Sequence, residues 1–200
     1  MPKVEPTRRG DNTVWPRSAI TVRTRESGLS MALRLLMLLT AAMLSACAAE
    51  YVPKGEPSFY RNLAQPGAEL DADAAASMIS GYRGNNGLEP VTLDPELMRL
   101  AQEQARAMAA RNKLDHDTKG PFTARLKKSG YDAKAAAENI SAGYHTLAEA
   151  FSGWRDSPPH RANMLLKGAT RIGIAAVYAP NTKYRVFWAM IIAQPDDRRS

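Results

Sequence analysis

The stretch "YRVFWAMIIA", residues 184–193, is apolar at nearly every position, so it has no polar face to turn toward water in an extended conformation. Alternate side chains of a strand point to opposite sides, and a run like this is stable as a strand only when both of its faces are covered. Just ahead of it, "RIGIAAVY", residues 171–178, is also rich in strand-forming residues, and "APNTK" between the two carries the Pro and Asn of a turn. An antiparallel hairpin is therefore expected at the centre of the domain. Helices on both sides must cover it, which gives an α+β fold, a three-layer α-β-α sandwich with an antiparallel sheet.

The covering helices can be read upstream. In "LDADAAASMISGYRGNNG", from Leu70 to Gly87, an Asp stands at an N-cap position and an Asn/Gly cluster marks the end. The segment 93–114 is stronger: Asp94 can cap, Pro95 suits the first turn, and Leu97, Leu100, Ala101, Gln104, Ala105 and Met108 share one face. Its many alanines predict close packing against a neighbour. A brief helix over 122–130 ends on Gly130, and a fourth starts at Thr146, with Glu149 in capping-box spacing and Leu147, Ala150, Phe151 and Trp154 on its apolar face. Trp154 reads as a core anchor. No internal repeat, low-complexity tract or glycine-rich phosphate loop is present.

The chain has 200 residues and a formal charge of +7. Residues 1–46 hold 7 of the basic residues against 3 acidic ones, so the remainder carries only +3. That remainder has no basic run interleaved with aromatics, and nucleic acid is not expected as a partner. The basic excess precedes "MALRLLMLLTAAMLSAC", residues 31–47, in which Arg34, an apolar run and then small residues follow the layout of a secretory signal. The apolar run is too short for an ordinary transmembrane helix. Its end, "LSAC", resembles the bacterial lipoprotein signal. That resemblance implies a signal peptide over 31–46, a lipidated Cys47 as first mature residue and membrane anchor, and, with Ala48 following, an outer-membrane lipoprotein facing the periplasm. Residues 1–30 are then expected to be a non-native extension, with translation starting at Met31. Residues 47–66, with three prolines and no sustained period, read as a tether with a reach between about 25 and 60 Å. The folded domain is expected over 67–195, followed by a tail at 196–200.

Three stretches could carry chemistry: "LDHDTKG" with His116, "AENISAGYH" with Glu138 and His145, and "GWRDSPPHRAN" with Ser157 and His160. Each reads as lying in or beside a connection, where binding residues commonly sit. Pro158 and Pro159 predict an extended or turn approach to His160. Ser157 and His160 do not form a nucleophile elbow, Asp115 and Asp117 read as solvated turn residues, and His145 reads as a packing residue before a helix. Two imidazoles and one carboxylate suit a Zn²⁺ first shell with an open fourth position, whose water could act as a nucleophile. The same groups could instead form a hydrogen-bonded network that fixes a cleft and binds nothing.

The order of a histidine, then A-E-N-I, then W-x-x-S-x-x-H-R-x-N-M-L, then a hairpin resembles the bacterial branch of the CAP superfamily of cysteine-rich secretory, antigen 5 and pathogenesis-related proteins, over residues 70–194. The resemblance implies an α-β-α sandwich with a polar cleft lined by His116, Glu138 and His160. Ser157 stands where many eukaryotic members have a second glutamate, and Ala137 replaces the glycine before Glu138. The expectation is a binding module for a small lipid, glycan or peptide, with a divalent cation such as zinc on His116, Glu138 and His160 as an option. The alternatives are a metal-assisted hydrolase of envelope material and a structural or interaction domain.

Overall fold

The structure is a computed structural model that describes residues 55–196. The expected signal peptide, Cys47, the start of the tether and the last residues of the tail lie outside the described residues. In chain order the elements are a 3-10 helix (Ser58–Tyr60), α1 (Ala72–Gly84), β1 (Thr92–Leu93), α2 (Pro95–Arg111), α3 (Phe122–Lys128), β2 (Ala133–Ala142), α4 (Leu147–Asp156), α5 (Pro158–Met164), β3 (Arg171–Ala179) and β4 (Arg185–Pro195).

The sheet order is β1-β3-β4-β2, with β4 antiparallel to both neighbours and the short β1 parallel to β3. The expected hairpin is β3 and β4. Eight consecutive residues of β4, Val186 to Ala193, are at zero exposure, because the strand is roofed on both faces. Val186, Trp188, Met190 and Ile192 pack with α1, α4 and Met164 of α5, while Phe187, Ala189, Ile191 and Ala193 pack against α2 and α3. Those are the two helix layers that an all-apolar strand requires.

Local chemistry explains most of the helix boundaries. Asp71 accepts from Ala74 N, and Asp94 accepts from Glu96 N and Leu97 N with Pro95 at the first position of α2. Thr146 and Glu149 close a capping box on α4. The α2 face read from the sequence is the buried one, extended by Ala109. Asn112 ends α2 in the left-handed conformation, and its Oδ1 accepts from Lys183 N in the hairpin turn, which fastens that helix to the sheet.

Arg83 of α1 is fully buried and makes no ion pair with a carboxylate among the described residues. Its Nε donates to Glu89 O, Nη1 to Met164 O and Leu166 O, and Nη2 to Ala169 O, so it satisfies the carbonyls that end α5 and lead into β3.

Four expectations change. There are five α-helices among the described residues, because Pro158 and Pro159 occupy the first turn of α5 instead of a turn before His160. Their fixed φ and missing N–H groups suit a helix start, while Ser157 before them keeps the extended backbone that a residue preceding proline adopts. Glu138 lies within β2, not in a connection, and pairs with Ile191. "AKAAAENISA" is poor in β-branched residues, so only its pairing with β4 makes it a strand. Finally, the segment read as a tether to residue 66 is docked from Ser58 onward. Leu63 and Ala64 are buried in the core, Leu63 N donates to His145 O, and Ala64 O accepts from Arg185 Nη2.

Helix and sheet come close together at Gly173 of β3, where a Cβ would collide with the Leu97 carbonyl carbon and oxygen and the Met98 nitrogen of α2. These are backbone atoms and have no rotamer to yield. Gly173→Ala should therefore destabilise the fold by about 1–3 kcal/mol, read as a lower urea midpoint. An unchanged midpoint would show that α2 does not rest on β3 this closely.

Candidate functional site

Glu138 projects from β2, which is an edge strand among the described residues. Its side chain is 2 % exposed and both carboxylate oxygens are engaged. Oε1 lies 2.8 Å from His116 Nδ1, and Oε2 accepts from Arg125 Nη2 at 2.6 Å. Burying a carboxylate is tolerable only with such compensation, and here two positively charged or chargeable groups supply it. Arg125 comes from α3, and its Nε also donates to Gly120 O. The loop carrying His116 is held from below by Gln104 of α2, whose Nε2 donates to Asp115 O and His116 O, while Thr118 Oγ1 donates to Gln104 Oε1.

His160 is the third residue of α5, and its Nδ1 is 2.9 Å from Ser157 Oγ. Two asparagines lock this helix to β2. Asn139 Nδ2 donates to His160 O, and Asn163 Nδ2 donates to Glu138 O and to Asn139 Oδ1. Asn139 is fully buried. The structure thus forms two contacting pairs, His116 with Glu138 and Ser157 with His160, and joins them through Asn139 and Asn163. His145 stands apart: its backbone N donates to Glu149 Oε2 at the start of α4. Trp154 is buried and meets Trp188 edge to face at 6.4 Å between centroids.

Arg125, Asn139 and Asn163 were not singled out by sequence reasoning. The asparagines stand inside the motifs A-E-N-I and H-R-A-N, so a signal existed for them. Arg125 sits in "FTARLKKSG", where nothing distinguishes it from other solvated basic residues.

The two histidines are driven apart in pKa. The hydrogen bond to Glu138 raises His116 above its ordinary value of 6.5, against partial burial and the nearby Arg125. Burial lowers His160 below 6.5, with repulsion from His116 adding to it. His116 therefore stabilises the fold in its protonated form, fully below pH 6.5 and less as pH rises through its folded value. His160 acts oppositely: its contribution is complete above 6.5 and is lost as pH falls through its depressed value. Between the two values His116 is cationic while His160 is neutral, so one site holds a charged and an uncharged imidazole.

The zinc arrangement suggested by His116, Glu138 and His160 does not fit this donor set. Glu138 has one oxygen on Arg125 and the other on His116 Nδ1, so the carboxylate holds the imidazole directly instead of standing beside it as a third ligand to a shared ion. Among the described residues no group of three or more His, Cys, Asp or Glu is arranged to hold a metal ion.

An α-β-α sandwich with a His/Glu site at the edge of its sheet defines a recognisable class. Residues 76–192 match the sequence model of the Cysteine-rich secretory protein family, CAP. The chain belongs to that family. It is 34 % identical over 103 residues to the Bacillus subtilis protein YkwD, described as uncharacterized, a match covering 50 % of this chain and 40 % of that one. Among solved structures it is similar to an extracellular SCP-domain protein of Bacillus anthracis (22 % identity, 61 % of this chain and 39 % of that one, TM-score 0.53). It is also similar to an outer surface protein of Borrelia burgdorferi (18 % identity, 65 % and 99 %, TM-score 0.57). At these identities the likeness to solved structures speaks for the fold.

Ring-carbon NMR should show His116 titrating above 6.5 and His160 below it. Glu138→Gln should bring His116 down toward its ordinary value. A single shared titration near 6.5 would contradict the asymmetry.

Proposed function

We propose that this chain is an extracytoplasmic binding protein, carried on the cell envelope by a lipid on Cys47, that holds a small lipid, glycan or peptide ligand against His116 and His160. The observation that carries this reading is the mixed exposure of the histidine and its partner. The His116 side chain is 50 % exposed, yet it is anchored on Glu138, at 2 %. Here a fixed imidazole is turned to solvent, and its Nε2 makes no hydrogen bond among the described residues. Oriented polar groups held by a rigid scaffold are what a ligand site requires.

The extracytoplasmic assignment is supported by residues 31–47, whose layout is that of a secretory signal ending in a lone cysteine, and by the extracellular and outer-surface descriptions of similar structures. Metal-assisted hydrolysis with Glu138 as a ligand would compete with its contacts to Arg125 and His116, and the form with water in that position would rest on the two histidines alone. The binding reading leaves those contacts in place.

Calorimetric titration of the chain with palmitate, a chitin tetrasaccharide and muramyl dipeptide tests the reading. Saturable binding of one probe, weakened at least tenfold in His160→Ala without a fall in melting temperature, is the expected result. No binding of any probe, together with a loss of about 1–3 kcal/mol of stability in His116→Ala and His160→Ala, would assign the groups to a structural network instead.

Anchoring is tested separately by cell fractionation. The wild-type chain should partition with membranes and Cys47→Ser should not; a variant that stays with the membranes would remove the lipid from the account.

A further inference from the structure

A pocket of about 290 Å³ is lined by Arg99 and Glu103 of α2, by Arg125 and Lys128 of α3, and by Lys119 and Ser129, and Glu138 is not among its lining residues. Its charge is lopsided. Arg99 is committed to Glu96 and Glu103, so the acidic Glu103 is already paired. Lys119 and Lys128 are exposed and make no ion pair among the described residues. Arg125 is the built part of the site: its side chain is 10 % exposed, held by Glu138 and Gly120 O, with Phe122 against it at 5.5 Å. Its remaining terminal nitrogen, Nη1, donates to nothing among the described residues, although the residue lines the pocket.

We infer that this pocket is an oxyanion site, with Arg125 as its fixed floor and Lys119 and Lys128 as its mobile walls, selective for a phosphoryl group. A preoriented guanidinium N–H gives direction to a charged hydrogen bond, and two lysines add point charges that follow the ligand. Lys119 stands in the loop before α3, and Arg125 and Lys128 stand one turn apart on α3; three cations around one cavity offer enough donors for an anion with several oxygens, as a phosphoryl group has. The pocket includes neither histidine, so the inference stands independently of a ligand on His116 and His160.

The test is an amide NMR titration of the full chain at constant ionic strength, with inorganic phosphate in one arm and the soluble lipid headgroup glycerophosphoglycerol in the other. The expected result is saturable shifts at the Lys119, Arg125 and Lys128 amides and at the Arg125 side-chain Nε–H. The double variant Lys119→Gln/Lys128→Gln, which alters only exposed residues, should weaken them at least tenfold. Tighter saturation by phosphate identifies a free phosphate ligand, and tighter saturation by the diester identifies a lipid headgroup. Shifts that do not saturate in either arm, or that survive unchanged in the double variant, would overturn the assignment.

Discussion

A strand with no exposed surface on either face governs this fold. From Val186 to Ala193, β4 alternates its side chains into two separate apolar clusters, so neither helix layer can be absent without exposing half of the strand to water. At about 25 cal/mol per Å² of apolar surface removed from water, each fully buried large side chain of β4 stabilises the fold by about 1.5–3 kcal/mol. Both of its edges are occupied as well, by β3 and by β2. The pairing with β2 also explains why an alanine-rich segment of weak intrinsic preference becomes an ordered strand, and it is that strand which carries Glu138 and Asn139.

The site is a consequence of this edge position. Glu138, on the outermost strand of the described sheet, reaches Arg125 of α3 on one oxygen and His116 of the preceding loop on the other. Its burial makes those contacts strong, because the surrounding dielectric is low and neither oxygen is left to water. The same arrangement sets the two histidines against each other: one is drawn toward its cationic form by the carboxylate, and the other is kept neutral by burial and by its charged neighbour.

Precision at His160 comes from neutral groups instead. Asn139 and Asn163 tie α5 to β2, and Arg83 holds the carbonyls at the far end of the same short helix. A seven-residue helix has little stability of its own. Its orientation is therefore set by these side chains at both ends, and the proline pair at its start limits the conformations open to the chain before it docks.

Sequence alone determined what depends on short spacing: a strand dry on both faces, the buried stripe of α2, and the Asp and Thr caps, while His116, Glu138 and His160 were joined as a set by the resemblance to the family. The first three are periodic or local patterns, and each element prints its own. Tertiary structure decided the rest. Arg125 becomes the partner of Glu138 because α3 packs beside β2, and nothing near Arg125 in the chain announces it. "AKAAAENISA" is a strand because β4 offers it hydrogen bonds, and residues 58–64 leave their expected tether because Leu63 and Ala64 find a place in the core. Pro158 is ambiguous locally, since proline fits both a turn and a first helical turn, and Asn139 and Asn163 resolve it by holding the helix against the sheet. In each case the deciding contact joins residues far apart in sequence, where local propensity carries no information about which partner will be met.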